Sequence, residues 1–265
     1  MARERGGFCV GLALVAPLAA LVLSACSPPE DTVWTRVNET GVLRVGMDAS
    51  FPPFEAVAPD GSLVGFDVAL VRELGRRLEL EPQFVANLPY DGLYDALTAG
   101  RVDIVVSALV VNPALTADYA YSTPYFDAGP VLVVPQEEQG IHAMADLAGH
   151  RLAVALGTQS DQEARRWARR LERLMVVQHE TAADALRAVE QGQADAALVD
   201  HVSALQGIAA GAPLAITGKP VVSVAYAAAV RHDSRQLLHA INETLETMEH
   251  EGMMERLVAE FLSAP

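Results

Sequence analysis

The chain has 265 residues and a net charge of −15, with 34 acidic against 19 basic side chains. This balance argues against a nucleic-acid partner, because phosphate backbones are bound by clustered lysine and arginine. The two cysteines, Cys9 and Cys26, both lie near the N-terminus, so we expect neither a disulfide nor thiol chemistry in the folded body.

The N-terminal segment has the order of a bacterial export signal that ends at a lipid-attachment cysteine. Two arginines precede an apolar run over 10–23 that is too short to span a bilayer comfortably. Leu-Ser-Ala and then Cys26 follow, as in a lipobox. We predict a signal peptide over 1–25, lipidation of Cys26 and a tether over 26–40. The chain is then exported and anchored by lipid, in the periplasm or on the outer face of the cell membrane. An ordinary signal peptide with a chance cysteine is the alternative.

The stretch after the tether predicts a ligand loop. A short apolar strand over 42–47 leads into Asp48, and Phe51 and Phe54 follow with two prolines between them. In open α/β sheets, ligands lie beyond the carboxyl ends of the strands. The prolines fix the backbone and stiffen the loop. The alternative is a strand, a turn and phenylalanines of the core.

Strands and helices alternate along the rest of the chain. Further strands are predicted over 81–87, 102–106, 131–134, 151–156, 174–178, 194–199 and 221–230. Helices are predicted over 67–78, 90–99, about 157–171, 182–190, 234–250 and 252–262. This alternation favours parallel sheets covered by helices. The segments 97–103 and 189–195 resemble each other, a weak repeat that favours two similar lobes.

Two long extended runs indicate where the chain crosses between lobes. The runs over 131–134 and 221–230 bracket a segment that we predict to be inserted into the first lobe. Lobe 1 then comprises 41–128 and 222–265, and lobe 2 comprises 129–221. Two crossovers form a hinge on which lobes can close. The alternative is a pair of edge strands in a single domain.

Residues 33–262 resemble the bacterial extracellular solute-binding proteins of the amino-acid-binding type, family 3, which serve ATP-driven importers. The matching segments, in the family's order, are GVLRVGMDASFPPFE, GFDVALVRELGRRL, YDGLYDALTAGRVDIVVSAL, YSTPYFDAGPVLVV, DLAGHRLAVALGTQSD and ADAALVDH. The resemblance implies an α/β, two-lobed periplasmic-binding-protein (venus-flytrap) fold of type II with two hinge crossovers. It implies a small-molecule ligand between the lobes and delivery to an ABC permease in the membrane. We further expect a monomer without cofactor, metal or enzyme activity.

The resemblance also implies ligand contacts on the first lobe. Phe51 and Tyr90 fall where family members hold the ligand side chain between two rings, and a ring over a cation contributes about 0.5–2 kcal/mol. Asp48 falls where some members bind a cationic side chain. The alternatives are lobe packing for the rings and a cap on the following loop for Asp48.

On the second lobe, the resemblance implies three further contacts. Thr158 and Gln159 fall on a helix N-terminus, whose free N–H groups favour an anion or a carboxylate. Asp200 falls where the family binds an α-ammonium group as a charge-assisted acceptor. The alternative for Thr158 and for Asp200 is an ordinary helix N-cap.

The sequence departs from the family at the first-lobe carboxylate clamp. Ala108, Val110 and Leu115 are at ligand-contacting positions, but Val110 stands where the family has threonine and Leu115 where it has arginine. No lysine or arginine occurs between Arg101 and Arg151. Leucine cannot replace a bidentate arginine–carboxylate pair. We therefore expect a polar or cationic nitrogenous ligand.

Other hypotheses remain open at this point. Asn112, with the amides at Thr158 and Gln159, could hold a carboxylate more weakly. Small-molecule capture could have been lost, which leaves a ligand-sensing or partner-binding protein of the same fold. A cyclohexadienyl-dehydratase-like enzyme would need an acid such as Asp161, but the cations that such a dicarboxylate substrate requires are missing. The seven histidines lack ligand spacing, and His201 is the one expected near the cleft.

Overall fold

The computed structural model describes residues 31–263, so the predicted signal peptide and Cys26 lie outside the described residues. The helices are α1 Thr32–Thr40, α2 Phe66–Leu78, α3 Leu93–Thr98, α4 Gln159–Ala168, α5 Ala182–Glu190, α6 His201–Ala209, α7 Arg235–His250 and α8 Met253–Leu257. The strands are β1 Val42–Gly46, β2 Ser50–Phe51, β3 Glu55–Val57, β4 Leu63–Val64, β5 Glu81–Val85, β6 Ile104–Val105, β7 Tyr119–Tyr121, β8 Phe126–Asp127, β9 Pro130–Pro135, β10 Arg151–Ala155, β11 Met175–His179, β12 Ala196–Asp200, β13 Leu214–Thr217, β14 Ala225–Tyr226 and β15 Ala229–Arg231. Within 31–263, none of the helices has the length and apolarity that a membrane crossing requires.

Two five-stranded sheets share one topology. The first has the order β5-β1-β6-β15-β7 and the second β11-β10-β12-β9-β13. In each sheet the first three strands are parallel, and the fourth, β15 or β9, is antiparallel to its neighbours. Strand β9 follows the first crossover and β15 follows the second. This arrangement confirms the predicted two-lobed α/β fold with two crossovers.

The weak internal repeat corresponds to a repeated ion pair. Asp103, just before β6, accepts the N–H of Arg44 at 2.8 Å and the guanidinium Nη2 of the same residue at 2.7 Å. Asp195, just before β12, accepts the N–H of Arg151 at 2.7 Å and its Nη2 at 2.7 Å. In both lobes, therefore, an acid that precedes the third strand of the sheet binds an arginine of the second strand.

The second-lobe sheet is covered on both faces. Along β9, Val131 and Val133 pack into one apolar cluster beside α5, whereas Leu132 and Val134 pack into another beside α4. Successive side chains of a strand point to opposite faces, so a strand buried on both faces has a continuous apolar sequence. The run over 131–134 therefore belongs to an interior strand of the second-lobe sheet, β9, which lies between β12 and β13.

The hinge consists of two short strands held together by one carboxylate. Strands β8 and β14 pair antiparallel. Asp127 Oδ1 accepts the N–H of Gly129 at 3.0 Å and the N–H of Val224 at 2.8 Å. A Cβ atom on Gly129 would lie 1.9 Å from the carbonyl oxygen of Val222, so only glycine fits this close approach of the two chain crossings.

The predicted tether is wrong for residues 32–40, which form helix α1. Asp31 caps this helix by accepting the N–H of Trp34 at 2.9 Å, and it also accepts the N–H of Gln236 in α7 at 2.9 Å. Val37 is fully buried in the first-lobe core. An acid followed by apolar residues at helical spacing is an N-terminal helix signal, and here it outweighs the position of the segment near the chain end.

The predicted long strand over 221–230 is also wrong, because the structure divides it into β14 and β15. Strand β14 pairs with β8 in the hinge, whereas β15 pairs with β6 and β7 in the first-lobe sheet. An apolar run shows that a segment is buried but does not show with which strand it pairs.

Candidate functional site

The second lobe gathers three polar helix caps at one edge of its sheet. Strands β10, β11 and β12 are parallel, so their carboxyl ends meet at this edge. Thr158 caps α4, Thr181 caps α5 and Asp200 caps α6. A pocket of about 310 Å³ opens between these caps, and Ala128 and Pro130 border it where the chain enters the lobe. This pocket is the candidate site.

The N-terminus of α4 offers two free backbone donors to the pocket. Thr158 Oγ1 accepts the N–H of Asp161 at 3.3 Å and donates to the carbonyl oxygen of Ala155 at 2.7 Å. The N–H groups of Gln159 and Ser160 have no acceptor within residues 31–263. Thr158 is therefore an N-cap, as the alternative interpretation held, and the helix end still has N–H groups for an anionic group of a ligand.

Asp200 both caps a helix and lines the pocket. Its Oδ1 accepts the N–H of Ser203 at 2.9 Å, which confirms the capping interpretation. Its Oδ2 has no partner among the described residues, and the residue is exposed. One carboxylate oxygen therefore remains available for a ligand ammonium group. Glu180, at the end of β11, adds a second carboxylate to the lining.

Asp48 lies just beyond the end of β1 in the first lobe. Its N–H donates to Ser107 Oγ at 2.9 Å, and its Oδ1 accepts from Ser50 Oγ at 2.6 Å. An isolated bridge pairs its backbone with that of Asn87. Asp48 therefore stabilises its own loop, and its Oδ2 has no partner within the described range.

Two accessible rings stand on the first lobe. Phe51 is 50% exposed and Tyr90 is 47% exposed, which is high for aromatic side chains. Phe51 stacks on the buried Phe54 with ring centroids 5.8 Å apart. The hydroxyl oxygen of Tyr90 accepts the N–H of Val110 at 3.5 Å. Each ring is thus anchored from one side, and the proposed sandwich of a ligand between them stays a prediction.

The positions of the expected carboxylate clamp have no polar side chain. Ala108 has a φ of 42°, in the left-handed region. Val110 is exposed, and its backbone forms an isolated antiparallel bridge with Tyr226. Leu115 is half-buried and packs against the first-lobe cluster that contains Leu109. The clamp positions therefore contribute backbone and apolar surface.

Tyr226 is a buried tyrosine of the hinge strand β14 beside the first-lobe candidate residues. Burial first, then Tyr90, and then the charges of Asp67, Glu55 and Asp200 raise the pKa of Tyr226 to about 12. The ring of Tyr226 also packs against that of Phe54, with centroids 5.2 Å apart, and its backbone bridges that of Val110.

The pocket carries negative charge without a compensating cation. Glu180 and Asp200 are the charged residues of its lining, which includes no lysine or arginine. The guanidinium groups of Arg36 and Arg44, on the first lobe, are bound to the buried Asp103. An acidic pocket attracts cations.

The structure adds residues to the site that the sequence predictions missed. Glu180 and Thr181 line the pocket. The pattern Thr181-x-x-Asp184 was an available signal, since a hydroxyl residue followed three positions later by an acid marks a helix N-terminus. The N–H of Asp184 indeed donates to Thr181 Oγ1 at 3.1 Å.

His201 links the second lobe to the hinge. Its ring stacks on Phe126 with centroids 5.0 Å apart, and its Nδ1 lies 2.7 Å from the carbonyl oxygen of Asp127. A carbonyl can only accept, so Nδ1 carries the proton. The single histidine expected near the cleft therefore contacts the chain crossing itself.

A larger groove of about 820 Å³ lies between residues 123–127 and α7, and its lining includes none of the predicted ligand residues. Its lining includes Glu243, Glu246 and Glu249. Within residues 31–263, no group of three or more His, Cys, Asp or Glu side chains is arranged to hold a metal ion. The groove therefore gives no reason to move the candidate site.

Two lobes joined by paired crossovers, with a polar pocket at the strand ends, are typical of a solute-binding protein. The sequence matches the family described as bacterial extracellular solute-binding proteins, family 3, over residues 43–264. The chain belongs to this family.

Individual relatives and solved structures show which members of the family the chain is similar to. The L-cystine-binding protein TcyJ of Escherichia coli K12 is 28% identical over 258 residues, which cover 96% of this chain and 94% of TcyJ. An ancestral cationic amino acid solute-binding protein of solved structure is 29% identical with a TM-score of 0.61, over 86% of this chain and 98% of that one. An ancestral cyclohexadienyl dehydratase is 24% identical with a TM-score of 0.73, over 86% of this chain and 95% of that one. The last similarity shows the fold alone.

Proposed function

We propose that this protein is the solute-binding component of an ABC importer and delivers a small polar or cationic nitrogenous ligand, an amino acid or an amine, to a membrane permease. Family membership supports the capture of a small solute outside the cytoplasm. The names of the similar proteins, one for L-cystine and one for cationic amino acids, support an amino-acid-like ligand. We also propose that the protein acts as a monomer.

The charge of the pocket is the observation that carries this proposal. Glu180 and Asp200 line it without any lysine or arginine, and Asp48 adds a carboxylate on the first lobe. A cationic nitrogen can pair with these acids through charge-assisted hydrogen bonds and can lie over the ring of Phe51 or Tyr90.

A ligand carboxylate, if present, has a second place to bind. The free N–H groups of Gln159 and Ser160 at the start of α4 favour an anion. Asn112, which the sequence suggested as a weak substitute for the arginine, uses its Oδ1 to accept the N–H of Ala114 at 3.0 Å. We therefore favour α4, rather than the first lobe, as the carboxylate contact of an amino acid ligand.

A binding screen tests the ligand class. Thermal shift followed by calorimetry would compare amines, polyamines, quaternary ammonium compounds and the common amino acids. We expect cationic members to bind and Asp48→Ala to weaken their binding. Asp118→Ala should leave binding unchanged, because Asp118 is an exposed acid whose side chain has no partner within residues 31–263. Tight binding of an ordinary neutral amino acid that survives Asp48→Ala would contradict the proposal.

We propose that the protein is a carrier and not a dehydratase. Asp161, the acid available near the start of α4, is bound to Arg165 at 2.9 Å and to Gln178 at 3.0 Å. These hydrogen bonds, led by Arg165, hold the pKa of Asp161 below its usual value. A general acid needs a raised pKa to hold its proton near neutral pH. Turnover of prephenate-like acids by the purified protein would contradict this assignment.

The lipid anchor is a proposal from the sequence. Cys26 lies outside the described residues, and the lipobox order before it is the supporting observation. We expect the full-length protein to partition into the membrane fraction of the expressing cells and Cys26→Ser to release it. Unchanged partitioning of the variant would contradict the anchor without affecting the ligand proposal.

A further inference from the structure

A pair of buried acids lies directly behind the ligand loop. Glu55 is the first residue of β3 and is 1% exposed. Asp67 lies in the first turn of α2 and has no exposed surface. Burial raises the pKa of both carboxyl groups, and the charge of Asp67 raises that of Glu55 further. The ligand contacts proposed above do not include either acid.

The hydrogen bonds of the pair are incomplete in a specific way. Asp67 Oδ2 accepts the N–H of Ala108 at 2.5 Å and the hydroxyl of Tyr125 at 3.1 Å. Glu55 Oε1 accepts the hydroxyl of Ser107 at 2.7 Å. The remaining oxygens, Glu55 Oε2 and Asp67 Oδ1, are buried and receive no donor from any other residue between 31 and 263.

One proton on the pair completes this arrangement. No lysine, arginine or histidine of the described chain pairs with either acid, and two uncompensated buried charges side by side are strongly unfavourable. The two carboxyl groups lie near each other, because their partners Ser107 and Ala108 are consecutive residues. Asp67 already accepts two hydrogen bonds and is therefore the anion. Glu55 then carries the proton and donates a hydrogen bond to Asp67.

The same acids fix two chain segments that lead into the cleft. The hydroxyl of Ser107 donates to Glu55, so its oxygen is oriented to accept the N–H of Asp48 at 2.9 Å. The bond from Ala108 to Asp67 holds the alanine at its unusual φ of 42°, a left-handed conformation that residues other than glycine keep only where their surroundings impose it.

We propose that Glu55 and Asp67 share one proton and act as a unit of positioning residues that holds Asp48 and Ala108 at the cleft. The inference deepens the proposed function and rests on it, since Asp48 and Ala108 are proposed ligand contacts. Loss of the shared proton places two negative charges together and loosens both segments.

Other titratable groups around the pair do not interfere with its titration. Asp48 faces Glu55 and adds a smaller electrostatic contribution that raises the Glu55 pKa. Tyr125 and Tyr226 face the pair from the hinge side. Burial first, and then the neighbouring charges, raise the pKa of Tyr125 well above its usual value and that of Tyr226 to about 12. Both tyrosines therefore keep their protons while Glu55 titrates.

Nuclear magnetic resonance of the unliganded protein tests the shared proton. The glutamate side-chain carboxyls would be labelled with ¹³C and the backbone with ¹⁵N, and both would be followed from acidic to alkaline pH. We expect one glutamate carboxyl with a midpoint near 9, the value to which burial and Asp67 raise the Glu55 pKa. We expect the amide signals of Asp48 and Ala108 to shift with the same midpoint.

Two variants test whether the alkaline midpoint belongs to Glu55. Glu55→Gln retains a donor for Asp67, so it should abolish the alkaline midpoint and leave the Asp48 and Ala108 amides at their low-pH positions. Glu163→Gln is the control, because Glu163 is a buried second-lobe acid paired with Arg166, and it should change neither signal.

The inference is overturned if every glutamate carboxyl of the wild-type protein titrates below about pH 6. It is also overturned if the Asp48 and Ala108 amides do not follow the Glu55 midpoint. Because the wild-type titration needs no variant, a Glu55→Gln protein that fails to fold does not remove the test. Neither readout uses a ligand, so a failed ligand screen and a failed titration are distinguishable.

Discussion

The two lobes share one sheet topology but present different chemistry to the cleft. The first lobe offers accessible rings, Phe51 and Tyr90, above a buried acid pair. The second lobe offers helix N-termini and the carboxylates of Glu180 and Asp200. From a shared scaffold with unlike surfaces, we expect the topology to fix where a ligand binds and the residues at the strand ends to decide which ligand binds.

The repeated ion pair has the same backbone and side-chain hydrogen bonds in both lobes, but its acid is buried to different extents. The side chain of Asp103 is fully buried and binds Arg36 and Arg44, whereas that of Asp195 is 31% exposed beside Arg151. We expect Asp103→Asn to lower the free energy of unfolding by about 3 kcal/mol and Asp195→Asn by at most about 1 kcal/mol. Urea unfolding of the two variants measures the difference, and equal losses would show that burial does not distinguish the pairs.

Replacing Asp200 tests whether its carboxylate contributes to ligand affinity or to the stability of the fold. Asp200→Asn should weaken binding of a cationic ligand about 10- to 100-fold, because a charge-assisted hydrogen bond is lost. Its melting temperature should stay unchanged, because asparagine caps a helix as well as aspartate does. Asp146→Asn is the matched control, since Asp146 caps a second-lobe turn outside the pocket. A fall in stability equal to the loss of binding would indicate a structural role alone.

Two substitutions would introduce the expected carboxylate clamp into the first lobe. Val110→Thr combined with Leu115→Arg should raise the affinity for amino acids with a free α-carboxylate about tenfold, because a bidentate contact is added. Val110→Thr alone is the control and should have little effect. Calorimetry with one amino acid and its decarboxylated amine measures the gain, and an equal gain for the amine would contradict the carboxylate contact.

The acid pair gives the first lobe a pH dependence that the second lobe lacks. Burial and Asp67 raise the pKa of Glu55 from 4.5 to about 9, so between these values the folded protein holds a proton that the unfolded chain releases. The free energy of unfolding should therefore fall as pH rises through this window, by up to about 1.4 kcal/mol per pH unit. The contribution is fully present below pH 4.5 and lost above about 9.

Glu55→Gln should flatten this dependence and make the protein more stable than wild type at alkaline pH. Urea unfolding at a series of pH values checks both outcomes, with Glu163→Gln as the control. An unchanged slope in Glu55→Gln would show that another group causes the dependence.

Much of the fold follows from sequence patterns that act locally. The predicted helix over 182–190 has the observed bounds of α5, because Thr181 caps its start and Gly192, in the left-handed region, ends its last turn. The predicted strand over 42–47 likewise ends within one residue of β1, which ends at Gly46, because the apolar run stops before the acid Asp48. Local signals of this kind need no knowledge of the partner strands.

The unpredicted parts depend on contacts between residues far apart in the chain. Asp127 holds Val224 across the hinge, 97 positions away, and Ala108 donates to Asp67, 41 positions away. Nothing in either local sequence indicates the distant partner. The position of α1 against α7, through Asp31 and Gln236, has the same origin.

The charge of the ligand is tested most directly with pairs of compounds that share a shape but differ in charge. L-arginine with L-citrulline, and choline with its neutral carbon analogue, are such pairs. For each pair in which a member binds, calorimetry with the wild-type protein should show that the cationic compound binds at least about tenfold more tightly than the neutral one. Equal affinities within the pairs, or tighter binding of the neutral member, would contradict a pocket selective for cations through Asp48 and Asp200.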